Sequence, residues 1–208
     1  NIISAISICG VALATFALVC TLSVFNGFQS MVAGFFTEID PQLKVTPIKG
    51  KVFADNDPRI LKVKALPEVA VFTRSLEDNA LVQYNGKQAM AIIKGVDDNF
   101  EQLTQIDSIL YGNGKFLLKD TKNDYAIMGI DLANQLNAGF NFFNPLEVYA
   151  PKHDVDIDVA NPATSFSAEK LYSPGVVFAV NQRKYDSQYI ITNLAFARWL
   201  FNYTNEVS

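Results

Sequence analysis

The sequence has very few of the side chains that bind metals or serve as catalytic nucleophiles. Among its 208 residues there is one histidine, His153, and there are two cysteines, Cys9 and Cys20, both far from it in the chain. This excludes Cys/His zinc sites and any nucleophilic dyad that depends on a second imidazole. We therefore predict that the chain is not an enzyme and that it holds no cofactor and no metal.

Clustered positive charge is also missing. The net charge is −4, and the 17 lysine and arginine residues form no basic cluster. Binding to nucleic acid requires such a cluster to neutralise phosphates, so nucleic acid is excluded as a partner. A mildly acidic chain is not held at anionic lipid by its charge, so any membrane attachment has to be hydrophobic.

The third absence is that of charge at the start of the chain. No charged side chain occurs from Asn1 to Thr37. Ile2–Phe25 is an uninterrupted run of apolar and small residues that reaches roughly 36 Å as a helix, enough to cross a hydrocarbon core of about 30 Å. We predict a transmembrane helix over residues 1–26. The alternatives are a cleaved signal peptide, whose apolar core is usually shorter, and a buried soluble helix.

The segment 27–41 has the spacing of an amphipathic helix. Its large apolar residues recur at i, i+3, i+4, i+7 and i+8. They are Phe28, Met31, Val32, Phe35 and Phe36. Asp40-Pro41 ends the helix because the residue before proline is disfavoured in the α region. We predict a stalk that leaves the bilayer, with these apolar residues in contact with lipid near the membrane surface.

From Leu43 onward, the pattern is that of a mixed α+β domain. Asn85-Gly86 separates two strand-like runs, Val69–Tyr84 and Gln88–Gly95, and predicts a hairpin because both turn residues tolerate positive φ. Short helices are predicted after Asp57-Pro58, over Ile130–Leu136 and over Asn193–Phe201. Further strands are predicted over Leu146–Ala150, Val176–Val180 and Tyr189–Ile191. The fold class is therefore α+β, with no strict βαβ alternation and no internal repeat.

One segment between two predicted strands, Pro151–Pro174, is unusually long for a loop. It begins with aspartates that alternate with apolar residues, a pattern typical of carboxylates facing solvent on an edge strand. An EF-hand calcium loop is excluded because Val159 and Ser165 stand where it needs glycine and glutamate. Long loops in compact domains are usually functional or disordered. We interpret the segment as a binding loop, with a plain surface excursion as the alternative. Its predicted partner-binding residues are Asp154, Val155, Asp156, Ile157, Val159 and Ser165.

Two further motifs receive structural interpretations. Gly112-Asn113-Gly114-Lys115 lacks the spacing of a phosphate-binding P-loop and is interpreted as a turn. Trp199, in the last predicted helix, is interpreted as part of the helix core, and otherwise as an anchor at a domain interface. Because no nucleotide site is predicted, any ATP hydrolysis coupled to this protein takes place on another chain.

Four segments, in collinear order, are similar to elements of one protein family. NIISAISICGVALATFALVCTLSVFNGFQSMVAGFFTEIDPQLKVTP resembles a first transmembrane helix, stalk and first strand. ALVQYNGKQAMAIIKGVDDNF resembles a strand–turn–strand that ends in a Lys-Gly-Val-Asp element, here Lys94–Asp97. IMGIDLANQLNAGFNFFNPLEVYAPK is similar to a short helix and strand, and NLAFARWLF to the helix before the closing strands. By these elements the chain resembles lipoprotein-releasing ABC-transporter permeases of the LolC/LolE type, which share the FtsX-like and MacB-like architecture.

The resemblance implies a permease subunit with four transmembrane helices. Its MacB-like periplasmic core domain, of two α+β lobes, lies between the first and second helices. We therefore expect a transmembrane helix at 1–26, a stalk at 27–41, the first lobe at 42–100, the second lobe at 101–202 with an extended loop at 151–174, and the start of a return to the first lobe at 203–208. The chain is then expected to lack the last strands of the first lobe.

The resemblance also implies partners and a location. A separate cytosolic ABC ATPase hydrolyses ATP, a second permease subunit, the same or related, completes the complex, and coupling is mechanical. The expected location is the inner membrane of a Gram-negative bacterium, with the main domain in the periplasm. In this family a hook engages a soluble lipoprotein carrier, and Pro151–Pro174 occupies the corresponding place. The alternatives are a MacB-like exporter and an FtsX-like subunit that activates a cell-wall hydrolase.

Overall fold

The computed structural model describes residues 2–33, 41, 43–103, 106–153, 155 and 162–208. It divides into two compact units, Asn1–Thr37 and Glu38–Ser208. The first unit contains helix α1, Ile2–Ala33. Its part Ile2–Gln29 is long and apolar enough to cross a membrane. The helix runs through Gly27 without a break, into the segment predicted as a stalk.

The second unit mixes strands and short helices, which confirms the predicted α+β class. The strands of its described part are β1 (Phe53–Ala54), β2 (Ser75–Tyr84), β3 (Lys87–Val96), β4 (Leu110–Gly112), β5 (Ile127–Met128), β6 (Leu146–Pro151), β7 (Phe166–Leu171), β8 (Val176–Phe178), β9 (Tyr189–Asn193) and β10 (Glu206–Val207). The helices are α2 (Pro58–Lys64), α3 (Phe100–Leu103), a 3-10 helix (Ile106–Ile109), α4 (Ile130–Leu136), α5 (Pro162–Ser165), α6 (Arg183–Gln188) and α7 (Leu194–Leu200).

A six-stranded sheet in the order β5-β9-β3-β2-β6-β7 forms the centre of this unit. β3 and β9 run parallel, and the other neighbours run antiparallel. The predicted hairpin is confirmed as β2–β3, although β2 begins at Ser75 and not at Val69. Its turn residues Asn85 and Gly86 have φ of 47° and 81°. Positive φ at both turn positions matches the right-handed twist of the paired strands. Strands from segments 42–100 and 101–202 pair within this one sheet.

The two faces of the sheet carry separate apolar cores. One core includes Leu76, Val82, Ile93 and Val148, together with residues of α4 and α7. The other packs Phe100, Ile106, Phe178 and Tyr185 against the opposite face of β3, β5 and β9. Because side chains alternate between the two faces of a strand, β3 contributes to both cores.

Two predictions are wrong in this unit. The predicted loop over 151–174 contains β7, Phe166–Leu171, which pairs antiparallel with β6. Three of its six residues, Ala168, Glu169 and Lys170, are of types depleted in strands, so pairing with β6 rather than local preference forms the strand. Trp199, predicted as helix core, is 57% exposed. Helix α7 instead buries Phe196, Ala197 and Leu200, and the tryptophan points away from that face.

Candidate interaction surface beside strand β7

Each residue of the Lys94–Asp97 element makes a contact with another part of the fold. Lys94 lies opposite Glu77 on β2, and its Nζ is 2.7 Å from Glu77 Oε1. A Cβ on Gly95 would lie 2.3 Å from Ala197 Cβ, so the glycine lets α7 pack directly on β3. Val96 is buried in the second core, and Asp97 accepts hydrogen bonds from Thr73 and Arg74. The element therefore supports the sheet that positions the surface described below.

Glu77 is held in the ionised form inside the fold. Burial alone raises the pKa of its carboxyl, but the charge and hydrogen bond of Lys94, with a smaller contribution from Lys44, outweigh this effect and lower the pKa. Tyr189 also donates a hydrogen bond to Glu77 from its hydroxyl, at 3.4 Å. The carboxylate thus connects β2, β3 and β9 with the segment that contains Lys44.

A second ionic network joins residues at the ends of β1, β2 and β3 with an arginine on α7. Asp55 Oδ2 lies 2.9 Å from Arg198 Nη2 on α7 and 3.1 Å from Arg74 Nη1, and Arg74 also binds Asp97. Burial raises the pKa of Asp55, but the hydrogen bonds and charges of Arg198 and Arg74 outweigh it and lower the pKa. Charges of alternating sign therefore connect β1 with α7 and with the adjoining ends of β2 and β3.

These two networks predict a stability that decreases in acid. Asp55 and Glu77 have ordinary pKa values of 3.8 and 4.5, and both are lowered in the folded state. The unfolded chain therefore takes up these protons first, so the stabilisation is complete above about pH 5 and is lost as the pH falls through the lowered folded values. We expect the urea midpoint of the full chain in detergent to fall between pH 5 and pH 3. Asp55→Asn should flatten this profile, whereas Asp107→Asn, at an exposed residue with no ion pair among the described residues, should not.

A groove of about 400 Å³ lies beside β7. The side chains that line it include Lys152, Phe166, Ala168, Trp199, Asn202 and Tyr203. The exposed Trp199 and the 37% exposed Phe166 make it partly apolar. A surface tryptophan in a groove is a common anchor in protein interfaces. The exposure of Trp199 in this groove therefore fits the alternative interpretation of this residue as an interface anchor.

One wall of the groove is the junction between β6 and the end of α7. His153 donates its backbone N–H to the carbonyl of Phe201 at 2.9 Å, and Asn202 Nδ2 donates to the carbonyl of His153 at 3.3 Å. The rings of His153 and Tyr203 are 4.6 Å apart between centroids. These contacts attach the start of the β6–β7 connection to α7. They thereby fix the position at which the chain leaves the sheet.

The predicted partner-binding residues are only partly within the described chain. Val155 is 39% exposed, as a contact residue must be, whereas Ser165 is 1% exposed and presents no side-chain surface to a partner. Asp154, Asp156, Ile157 and Val159 lie outside the described residues. Sequence reasoning missed the groove itself, because Lys152, Phe166 and Trp199 come from three separate elements.

The predicted lipid-contacting residues lie mostly beyond what the structure describes. Phe28, in α1, is 61% exposed. Met31 and Val32 are also within α1, but their side chains lie outside the described part, and Phe35 and Phe36 lie outside it entirely. The contact of these residues with lipid therefore stays a prediction.

An apolar row on the open half of one sheet face continues from the groove. Register pairs place Met90 opposite Leu81, Leu81 opposite Tyr149 and Tyr149 opposite Ala168, so these four residues share one face across four strands. Met90 is 63% exposed, and Ala168 is also exposed. Met90 stands where the alternation of β3 predicts a polar side chain. This apolar residue at an exposed position was the sequence signal from which the apolar row could have been predicted.

Comparison with known protein families identifies the family of this chain. Within the described residues there is no group of three or more His, Cys, Asp or Glu side chains that could hold a metal. Residues 4–147 match the family described as the MacB-like periplasmic core domain. One similar solved structure is the extracellular domain of the noncanonic ABC-type transporter YknZ from Gram-positive bacteria, at 12% identity and a TM-score of 0.47, covering 76% of this chain and 70% of that one. No curated protein matches the sequence. Since the family match spans more than half of the chain, the protein belongs to the MacB-like periplasmic core domain family of ABC-transporter permeases, the MacB/FtsX type.

Proposed function

We propose that this permease releases lipoproteins from the inner membrane of a Gram-negative bacterium and delivers them to a soluble periplasmic carrier. Membership of the permease family implies an ABC ATPase partner and a partner permease. The lipoprotein carrier and the location are our proposal. They are supported by the collinear resemblance of four segments to permeases of the LolC/LolE type.

The observation that carries this proposal is the β6–β7 hairpin. Its strands pair from Leu146↔Leu171 to Pro151↔Phe166, and the backbone N–H of Lys152 donates to the carbonyl of Ser165 at 3.0 Å. The connection between them therefore begins and ends at one sheet edge, next to the groove. This is the arrangement expected of a hook that engages a carrier. We propose that Val155 and Val159, rather than Ser165, contact it.

The proposal also includes the stalk and the two lobes that the resemblance implies. We propose that segment 27–41 forms a stalk whose apolar side chains guide acyl chains at the bilayer surface. The division into two lobes, with a return from residue 203, also stays a proposal. β10 pairs with β1, so the end of the described chain lies beside the first strand of the domain.

Photocrosslinking in cells tests the carrier assignment. A crosslinking amino acid at Val155 or Val159 of the full-length subunit should give an adduct with a periplasmic lipoprotein carrier, because both positions lie on the connection of the hairpin. The same probe at Leu61, which is 50% exposed on α2, serves as the matched control and should give none. An adduct with an adaptor protein favours the exporter, and an adduct with a cell-wall hydrolase favours the signalling subunit. Either result contradicts lipoprotein release.

A further inference from the structure

Strand β7 is the last strand of the sheet, and within the described part of the chain its outer edge is open. Among the described residues it pairs along its length with β6 alone. Only just beyond its end does the backbone pair on the other side, where Tyr172 N–H donates to the carbonyl of Asp124 at 3.0 Å and the carbonyl of Tyr172 accepts from Ala126 at 2.9 Å. An open strand edge is a template for pairing with another chain.

The hydrogen-bond pattern shows which backbone groups face outward. The carbonyl of Ser165 accepts from Lys152 and points toward β6, whereas Tyr172 bonds away from β6. Because backbone groups alternate along a strand, Phe166, Ala168 and Lys170 also point away from β6. The N–H of Lys170 has only a 3.4 Å contact with the carboxylate of its neighbour Glu169. The free edge from Phe166 to Lys170 is roughly 14 Å long at about 3.4 Å per residue.

The groove supplies side-chain contacts beside this edge. Trp199 and Tyr203 line the groove. Tyr203 packs in the core that also contains Leu171 of β7, whereas Phe166 lies on the opposite face because side chains alternate along the strand. A strand added along β7 would place alternate side chains toward Trp199 and toward Phe166. Edge pairing with pockets for alternate side chains is a known mode of peptide recognition.

Two lysines make this edge favourable for carboxylates. Lys152 lines the groove, and its Nζ donates to the carbonyl of Thr164 at 3.1 Å. Lys170 is exposed, and neither lysine makes an ion pair with a described residue. Glu169 points to the opposite face of the sheet from Lys170, because neighbouring residues of a strand alternate. The cationic groups therefore lie toward the two ends of the open edge, in a chain whose net charge is −4.

We infer that the open edge of β7 binds an extended, acidic segment of a partner protein as a seventh strand, with an apolar side chain of that segment against Trp199 and its carboxylates near Lys152 and Lys170. Charge complementarity selects an acidic segment, and the N–H and C=O groups of Phe166 and Ala168, which have no partner among the described residues, select an extended backbone. This inference is independent of the cargo, and it stands whether or not the hairpin connection binds a lipoprotein carrier.

A defined peptide tests the inference with the full chain in detergent. The probe is a short fluorescent peptide in which glutamate and isoleucine alternate, and binding is followed by fluorescence polarisation. Ala168→Pro removes one outward N–H without touching the bonds to β6, a position at which an edge strand tolerates proline. We expect the affinity to fall about tenfold or more, because one backbone hydrogen bond is lost and the ring obstructs the approach of a strand. Ala168→Ser, which keeps the N–H, should bind as the parent does.

Three further measurements keep the inference falsifiable if Ala168→Pro does not fold. A peptide with alternate backbone nitrogens methylated should not bind, and a lysine–isoleucine peptide should bind at least about tenfold more weakly. Lys152→Glu should weaken the acidic peptide, whereas Lys87→Glu, an exposed lysine at the start of β3, should not. Equal binding of the methylated peptide, or no binding of the acidic one, overturns the inference. Self-association of the chain that Ala168→Pro abolishes also overturns it, because the occupant is then a second copy.

Discussion

Glu77→Gln is expected to lower the free energy of unfolding by about 3 kcal/mol, because it leaves the buried ammonium of Lys94 without a counter-charge. The Lys94 side chain is 4% exposed and that of Glu77 is 17% exposed, so water compensates little for the lost carboxylate. The Lys94 Nζ lies 6.0 Å from the centroid of the Phe100 ring, and this contact is too weak to replace an ion pair. Hydrogen exchange of the β2 and β3 amides, in the full chain in detergent, measures the loss.

A double variant separates the ion pair from the packing around it. Glu77→Leu combined with Lys94→Met removes both charges and keeps most of the side-chain volume. Since a buried ion pair can often be replaced by apolar residues without loss, we expect the double variant to recover most of the stability. Glu169→Gln on β7 is the matched control for a glutamate without a described ion pair, and its effect should stay within about 0.5 kcal/mol. A Glu77→Gln variant as stable as this control contradicts the prediction.

Gly95→Ala is expected to destabilise the domain by about 2–3 kcal/mol, because the added methyl overpacks the contact between β3 and α7. The new Cβ would lie 2.3 Å from Ala197 Cβ and 3.2 Å from the carbonyl oxygen of Asn193. Either the helix has to move away from the strand or the strand has to bend. Because α7 carries Trp199, we expect the same change to disturb the groove beside β7. Hydrogen exchange of the amides of β3 and α7 measures the effect on stability.

The partner of the clash supplies the control. Ala197→Gly removes the methyl that Gly95→Ala would meet, at a cost of about 1 kcal/mol for glycine inside a helix. Introduced into that background, Gly95→Ala should cost less than about 1 kcal/mol, since only the contacts at 3.2 Å remain. Equal costs of Gly95→Ala in both backgrounds would show that the methyl of Ala197 is not the cause.

Much of the local structure is determined by the sequence itself. The charge-free run from Asn1 to Thr37 is compatible with a long apolar helix, and α1 forms there. Asn85-Gly86 selects the β2–β3 turn because both residues accept positive φ. Asp57 before Pro58 starts α2, and its carboxylate accepts from the backbone N–H of Arg59. In each case the deciding physical preference belongs to a few consecutive residues.

Only the tertiary structure decides where distant segments meet. β7 has no strand signal of its own and forms because β6 offers it a partner, and Trp199 is exposed because α7 turns Phe196, Ala197 and Leu200 toward the core. The β7 edge and its groove then arise from the β6–β7 hairpin and α7 together. Propensity and periodicity act within a segment, whereas strand pairing, burial and ion pairs such as Lys94–Glu77 depend on residues distant in the chain. For this reason the family and the helices α1, α2, α4 and α7 follow from the sequence, but the surface available to a partner does not.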